Sequence, residues 1–199
     1  MKAKELKALD PLELFRKWYL EAEKLESNNP NACCLATTDI RGFPSVRMIL
    51  VKKFDERGFV FYTNLNSKKA ENFSSNSKVA LCFYWKSLSK QVRVEGSIMD
   101  LPSKEADDYF ASRDRDSQIG AWISKQSKPL SGGISELDKK YKLEKAKLGT
   151  RKIVRPSFWS GKIVIPEKIE FWSSRDYRLH ERILYTTFNK GWKKEYLYP

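Results

Sequence analysis

The sequence predicts an α+β chain that is mainly β, with helices flanking a strongly curved sheet. Two observations carry this reading. Short apolar runs with strand-like alternation fall in two groups, about residues 30–98 and 158–197, separated mostly by tight turns. Helical periodicity is confined to one segment before the first group, one inside it, and a block between the groups. The order helix, sheet, helices, sheet does not suit alternating parallel units. At 199 residues the chain suits a single domain. Within it, about 30–127 reads as the core and about 158–199 as a C-terminal group of strands.

Taken in order, Asp10 can cap a helix, Pro11 fits its first position, and Glu13 has capping-box spacing. Leu14, Phe15, Trp18, Ala22 and Leu25 then form an apolar stripe running to Leu25. After Ser27-Asn-Asn-Pro30, extended runs are expected at Ala32–Thr37, Pro44–Lys52, Phe59–Thr63, Val79–Trp85 and Gln91–Ile98, a meander that curls into a barrel or a sandwich. A helix from Lys68 to Asn76 interrupts them. Pro102-Ser103 opens a helix through Ser112, a second covers Asp116–Ile123, and a lysine-rich third runs from Ser135 to near Gly149. Strands return at Phe158–Ile165, Lys168–Trp172, Ile183–Phe188 and Trp192–Leu197, with Asn189-Lys190-Gly191 as a hairpin turn.

Composition excludes several classes. The chain has 11 Phe, 9 Tyr and 6 Trp, too many aromatics for a disordered polar polymer. Three cysteines without Cys-x-x-Cys spacing and one histidine argue against zinc, and no metal is expected. Free thiols suit a reducing compartment. The first residues, MKAKELKALD, lack the apolar core of a secretion signal, and no run has membrane-spanning length. A cytoplasmic protein without membrane contact is the expectation. The formal charge of +13 favours polyanions or phosphorylated small molecules, or serves solubility alone. The lysines between Lys139 and Lys152 read as a solvated helix face rather than a nucleic-acid stripe, and no nucleic-acid partner is expected.

No Gly-x-Gly-x-x-Gly, Walker loop or hydrolase triad is present. Three cationic features stand out instead. Arg47 and Lys52 bracket Met48, Ile49, Leu50 and Val51, and strand alternation puts the two charges on opposite faces unless a bulge or twist intervenes. A charge inside an apolar strand needs an anionic partner, either a protein carboxylate or a ligand. Next, a strand ending at Thr63 passes through Asn64, Asn66 and Ser67 into a helix whose first turn carries Lys68 and Lys69. Lysines there oppose the helix dipole, and a bound phosphate would reverse the penalty. Finally, in an extended chain Arg178, His180 and Arg182 project to one side, a set of donors suited to an anionic or carbonyl-rich ligand. Trp172 and Phe158-Trp159 are available as an aromatic wall or as core.

These segments occur together as Arg47-Met-Ile-Leu-Val-Lys52, Phe61-Tyr-Thr-Asn-Leu-Asn-Ser-Lys-Lys-Ala70, Ser112-Arg-Asp-Arg-Asp-Ser-Gln-Ile-Gly-Ala-Trp122, Ser124-Lys-Gln-Ser127, Ile169-Glu-Phe-Trp172 and Arg178-Leu-His-Glu-Arg182. In that combination, from about Asp10 to the C-terminus, the chain resembles the pyridoxamine 5′-phosphate oxidase family, FMN enzymes of vitamin B6 metabolism. The resemblance implies an FMN-binding split β-barrel, assembled as a homodimer with two FMN sites at the subunit interface and residues 158–199 serving dimerisation. It implies FMN contacts from Arg47, Met48, Ile49, Leu50, Val51, Lys52, Tyr62, Thr63, Lys68, Lys69, Gln91, Gln126, Ser127, Trp172 and Arg182. It implies substrate contacts from Lys52, Tyr109, Arg113, Ser117, Arg178 and His180. Lys52, Tyr109, Arg113 and Ser117 would take the substrate phosphate, while Arg178 and His180, the implied catalytic residues, would hold the reacting end of the ring. The implied reaction moves a hydride from C4′ of pyridoxamine or pyridoxine 5′-phosphate to FMN, which O2 reoxidises, giving pyridoxal 5′-phosphate and hydrogen peroxide, with ammonia released from the amine substrate. A non-catalytic flavin or pyridoxal-phosphate binder on the same barrel is the alternative.

Overall fold

The computed structural model describes residues 10–189 and 191–199. The first nine residues, up to Leu9, and Lys190 of the expected hairpin turn lie outside the described residues.

Helix α1 spans Pro11–Leu25, with the Asp10 carboxylate accepting from the Leu12 amide and Glu13 paired with Arg16 rather than closing a capping box. Its inner face buries Phe15 and Ala22, whereas Leu25, expected on the stripe, is an exposed last residue. Phe15 anchors the helix to the sheet. Its ring meets Phe54, Phe59, Phe83 and Trp85 with centroids 4.8–5.8 Å apart. A buried aromatic of this kind contributes roughly 2–3 kcal/mol through area alone.

The first group of strands is β1 (Ala32–Thr38), β2 (Pro44–Leu50), β3 (Lys53–Asp55), β4 (Gly58–Asn64), β5 (Lys78–Trp85) and β6 (Lys90–Asp100). Helix α2 (Lys68–Ser75) interrupts them. Helices α3 (Ser103–Ser112), α4 (Arg115–Ile123) and α5 (Gly133–Leu148) follow, then β7 (Trp159–Ser173), β8 (Glu181–Phe188) and β9 (Gly191–Leu197). Every pairing is antiparallel, in the order β2-β1-β5-β6-β7-β4-β3, with β8 added beside β7 and β9 beside β8. The α+β, mainly β expectation holds, and the short β3 is an element the sequence pattern did not reveal.

The two strands expected at Phe158–Ile165 and Lys168–Trp172 are one continuous 15-residue strand. Pro166 falls in the gap between the two expected runs. It sits opposite Gly96, where the β6 register shifts by a bulge between Glu95 and Gly96. A proline without an N–H is tolerated at such a point. Gly96 is required there, because a Cβ would lie 2.0 Å from the Ile165 carbonyl oxygen. Strand β7 thus joins the sheet: its first half pairs with β4, its second half with β8, and β6 runs along the other edge.

Candidate active site

A cavity of about 950 Å³ opens between β2, the end of β4, the start of α2, the α3–α4 region and the start of β7. Its walls include Arg47, Met48, Ile49, Leu50, Lys52, Tyr62, Thr63, Lys68, Lys69, Tyr109, Arg113, Ser117, Gln126 and Ser127. Residues distant in sequence therefore converge on one space, and most of the expected contact residues do so. Val51 does not, because its side chain is buried in the main core.

The alternation that separated Arg47 from Lys52 fails for a local reason. Strand β2 ends at Leu50. The Val51 amide then bonds the Asn31 carbonyl and the Lys52 amide bonds the Val60 carbonyl, at 2.9 and 2.8 Å. The chain leaves one strand pairing for another, and both cations reach the same cavity.

Charge is the most informative property of this space. Arg47, Lys52, Lys68, Lys69 and Arg113 line it, and no acidic side chain does. None of these five forms an ion pair with a carboxylate among the described residues. By contrast Arg57, Arg155 and Arg182 are paired with Glu105, Asp107 and Glu170. Arg47 donates from Nη1 to the Leu35 carbonyl at 3.0 Å and to Thr37 Oγ1 at 2.8 Å. Lys69 is 8% exposed and donates to Ser67 Oγ and Gln126 Oε1 at 3.1 and 2.7 Å. Burial first, and the Arg47 charge second, push its amine down to about 8. Burial likewise lowers Arg47 and Arg113. Arg113 stacks over Trp159 at 5.0 Å, and its Nη1 is buried without a hydrogen-bond partner. Cations desolvated in company and without counter-charge are held against their own repulsion, and a bound anion would remove that penalty.

Helix α2 adds its amino end. Ser67 occupies the cap position without bonding a helix amide; its hydroxyl donates to the Asn64 carbonyl instead. The first turn is thereby left open beside Lys68 and Lys69, which suits an oxyanion. Asn64 Nδ2 bonds the Ser124 carbonyl at 3.1 Å and ties segment 124–127 to the end of β4. Gln126 can thus bridge Lys69 and Thr63, the latter at 3.5 Å.

The opposite wall is aromatic. Tyr62, Tyr109 and Trp159 stack nearly parallel, with Tyr62 3.9 Å from Tyr109 and 5.2 Å from Trp159. Gly161 faces Tyr62 across the β4–β7 pair, and a Cβ there would lie 2.9 Å from the Tyr62 ring. Trp159 therefore joins the site, an option its sequence left level with core packing. Ser45, Asn64 and Ser124 also line the cavity without having been singled out as contacts. Only Asn64 had a local signal, the Thr-Asn-x-Asn run before a helix. Ser117 lies in the first turn of α4, its amide on the Asp114 cap at 2.8 Å.

Gln91, Trp172, Arg178, His180 and Arg182 do not line this cavity. They form a second group at the far end of β7. Gln91, Trp172 and Arg182 are cross-strand neighbours on β6, β7 and β8. The His180 ring lies 4.7 Å from Trp172, and its Nδ1 accepts from the Arg175 amide at 3.3 Å. The extended geometry expected for residues 178–182 is absent. A 3₁₀ turn covers Asp176–Arg178, with Tyr177 and Arg178 at φ 56° and 61°. Only from Glu181 is the chain a strand. Arg182 grips the buried Glu170 through Nε and Nη2 at 2.9 and 3.1 Å and the Tyr198 carbonyl through Nη1. Burial pushes the Glu170 carboxyl up, but Arg182 and Arg93 outweigh it and hold it below the usual range.

Among the described residues no three His, Cys, Asp or Glu side chains gather as a metal site, and no helix is long and apolar enough to cross a membrane.

Comparison with known proteins gives these features a context. Residues 20–140 match the model of the pyridoxamine 5′-phosphate oxidase family, and residues 159–199 match that of the pyridoxine 5′-phosphate oxidase C-terminal dimerisation region. A pyridoxine/pyridoxamine 5′-phosphate oxidase of Chelativorans is 50% identical over 96% of this chain and 91% of its own length. One from Brucella canis is 50% identical over 96% and 94%. Among solved structures, PhzG from Burkholderia lata, in complex with tetrahydrophenazine-1-carboxylic acid, superposes with a TM-score of 0.89 at 27% identity, covering 96% of this chain and 93% of that one. A pyridoxamine 5′-phosphate oxidase-related, FMN binding protein from Nostoc punctiforme has a TM-score of 0.78 at 15% identity, covering 96% and 100%. The latter supports the split-barrel architecture alone. By family model and by identity along nearly its whole length, the chain belongs to the pyridoxamine 5′-phosphate oxidase family.

Proposed function

We propose that the protein oxidises pyridoxamine 5′-phosphate and pyridoxine 5′-phosphate to pyridoxal 5′-phosphate with FMN as cofactor, as a homodimer. One observation carries the reading: five cations converge on a cavity without acidic residues, and one of them keeps a buried guanidinium nitrogen without a partner. Two phosphate monoesters, each close to −2 at neutral pH, supply the missing charge. The residues fit FMN. Lys68, Lys69 and the open end of α2 suit a phosphate, while Arg47, Thr63, Gln126 and Ser127 offer donors and acceptors along the cavity wall. When bound, FMN would supply the two-electron acceptor for the C4′ hydride and hand the electrons to O2, giving hydrogen peroxide.

The remaining work falls to side chains of this chain. Lys52, Tyr109, Arg113 and Ser117 form a second polar group within the same cavity and suit the phosphate of the substrate. The stacked rings of Tyr62, Tyr109 and Trp159 give it one apolar wall. Arg178 and His180 would hold the reacting end of the pyridine. Since they lie in the second group, a partner chain must bring them to the cavity. This is the physical argument for a dimer, and the dimerisation region matched at residues 159–199 contains Arg178 and His180. Binding and orientation, rather than proton transfer, are the roles assigned to these residues.

The test is anaerobic. Purified protein loaded with FMN should lose its flavin absorbance when pyridoxine 5′-phosphate is added and regain it in air. A yellow protein whose spectrum stays unchanged would instead be a flavin binder without this activity.

A further inference from the structure

The residue that aims Arg47 lies outside every group discussed so far. Arg47 uses only Nη1 on the protein, giving it to the Leu35 carbonyl and Thr37 Oγ1. Its Nε and Nη2 have no partner among the described residues. These two nitrogens form the side-on fork of a guanidinium, the edge with which Arg182 grips Glu170. Arg47 is therefore held by one nitrogen with its gripping edge free, and it lines the cavity.

Thr37 is 2% exposed and sits on β1, while Arg47 is on β2. The Thr37 hydroxyl also accepts from Asn72 Nδ2 at 2.8 Å, and Asn72 is 4% exposed on the inner face of α2. Asn72 lies one turn beyond Lys68 and Lys69 on the same helix. One buried oxygen thus ties the strand presenting Arg47 to the helix presenting the two lysines. Polar side chains buried this completely are kept only when they are bonded, and here both bonds converge on one hydroxyl oxygen.

We propose that Thr37, braced by Asn72, is a positioning residue for FMN binding: it fixes the direction of the free Arg47 fork and its register against Lys68 and Lys69. The inference rests on the reading of the cavity as the FMN site. An isosteric Thr37→Val removes one of the two acceptors that hold Nη1 and leaves the Leu35 carbonyl alone to aim the guanidinium.

The experiment is a double-mutant cycle on the full chain, with the FMN dissociation constant read from quenching of flavin fluorescence. Thr37→Val should weaken FMN binding about tenfold, Thr37→Ser should restore it to within about threefold, and Thr37→Val should add nothing in an Arg47→Ala background. The proposal is overturned if Thr37→Val binds FMN as the wild type does, or if it loses the same factor whether or not Arg47 is present. Should Thr37→Val fail to fold, Asn72→Ala takes its place in the cycle, with the same coupling to Arg47 expected and additivity again decisive against it. A wild-type protein that fails to quench FMN would overturn the underlying reading instead, whatever the variants do.

Discussion

The rings of Tyr62 and Tyr109 stack 3.9 Å apart and 10° from parallel, one carried by a strand and the other by a helix. The contact links Thr63, on the wall proposed for the cofactor, to Arg113, on the wall proposed for the substrate, because each tyrosine is close in sequence to one of them. Removing the Tyr109 ring should therefore affect substrate more than flavin. Tyr109→Ala is expected to raise KM for pyridoxine 5′-phosphate at least about tenfold, as loss of a stacked, polar-tipped aromatic does elsewhere. Flavin retention should fall by no more than about threefold. Tyr109→Phe, which keeps the stack, should lie between the two in steady-state assays.

Gly161→Ala tests the same wall from behind. The added methyl would lie 2.5 Å from Leu101 Cδ1 and 2.9 Å from the Tyr62 ring. Overpacking of this kind costs about 1–3 kcal/mol. Urea unfolding should show that loss, and the near-UV circular dichroism of the tyrosine stack should change with it.

Lys69 makes the flavin-free protein sensitive to alkaline pH. Its folded-state amine is pushed down to about 8, below its unfolded value. Between those values the unfolded chain binds more protons, so stability of the flavin-free protein should rise with pH from about 8 to about 10.5, by at most about 3 kcal/mol from this group. Below pH 8 the charged amine is a fixed penalty, relieved by an anion. FMN affinity should consequently fall as pH rises through 8. Lys69→Met should flatten both profiles, in thermal melts and in flavin titrations.

Glu170 works in the opposite sense. Its carboxyl is held down by Arg182 and Arg93, so its contribution is complete above the ordinary glutamate range and is lost as pH falls through the lowered value. Glu170→Gln leaves two arginines without their buried partner and should cost about 2–3 kcal/mol at pH 7, less than for a fully buried pair because both arginines reach solvent. The variant should also show a shallower acid limb when unfolding is followed from pH 7 to pH 3.

Separation of the two groups of residues leads to a complementation experiment. Lys69→Ala should weaken flavin retention, whereas His180→Ala or Arg178→Ala should slow oxidation with flavin still bound. If each centre combines the cavity of one chain with the second group of another, the two variants damage different halves. Unfolding and refolding them together should then restore about a quarter of wild-type activity, since half of randomly assorted dimers hold one intact centre out of two. Mixtures that stay at the level of the separate variants would count against shared centres.

Much of the fold was legible because alternation reports directly on which strand face is buried. In β5, Val79, Leu81, Phe83 and Trp85 are buried in turn as their spacing implied. What escaped were features set by pairing partners rather than by local pattern. Pro166 reads as a break until Gly96 is placed opposite it in a bulge. Lys52 reads as facing away from Arg47 until the chain is seen to change partners at Val51. Residues 178–182 read as a strand because nothing in their composition reports the left-handed pair Tyr177–Arg178. At the site, the motifs located the cationic walls, but not the behaviour of the charges. That Arg47 lacks a carboxylate while Arg182 has one depends on neighbours 12 residues away on other strands. Thr37 and Asn72 were invisible for the same reason, since only folding brings their side chains 2.8 Å apart.

The unbroken course of β7 has a mechanical corollary. From Trp159 in the cavity to Trp172 beside His180, it acts as a stiff spar nearly the full length of the 15-residue strand, roughly 45 Å at about 3.3 Å per residue. Whatever is bound at one end is joined to the other through a single pleated ribbon, paired with β6 along one edge and with β4 and then β8 along the other, with the bulge opposite Pro166 between them. Two reaction centres bridged by a pair of such spars would keep a constant spacing during turnover, leaving local loop and side-chain motion to admit and release small molecules.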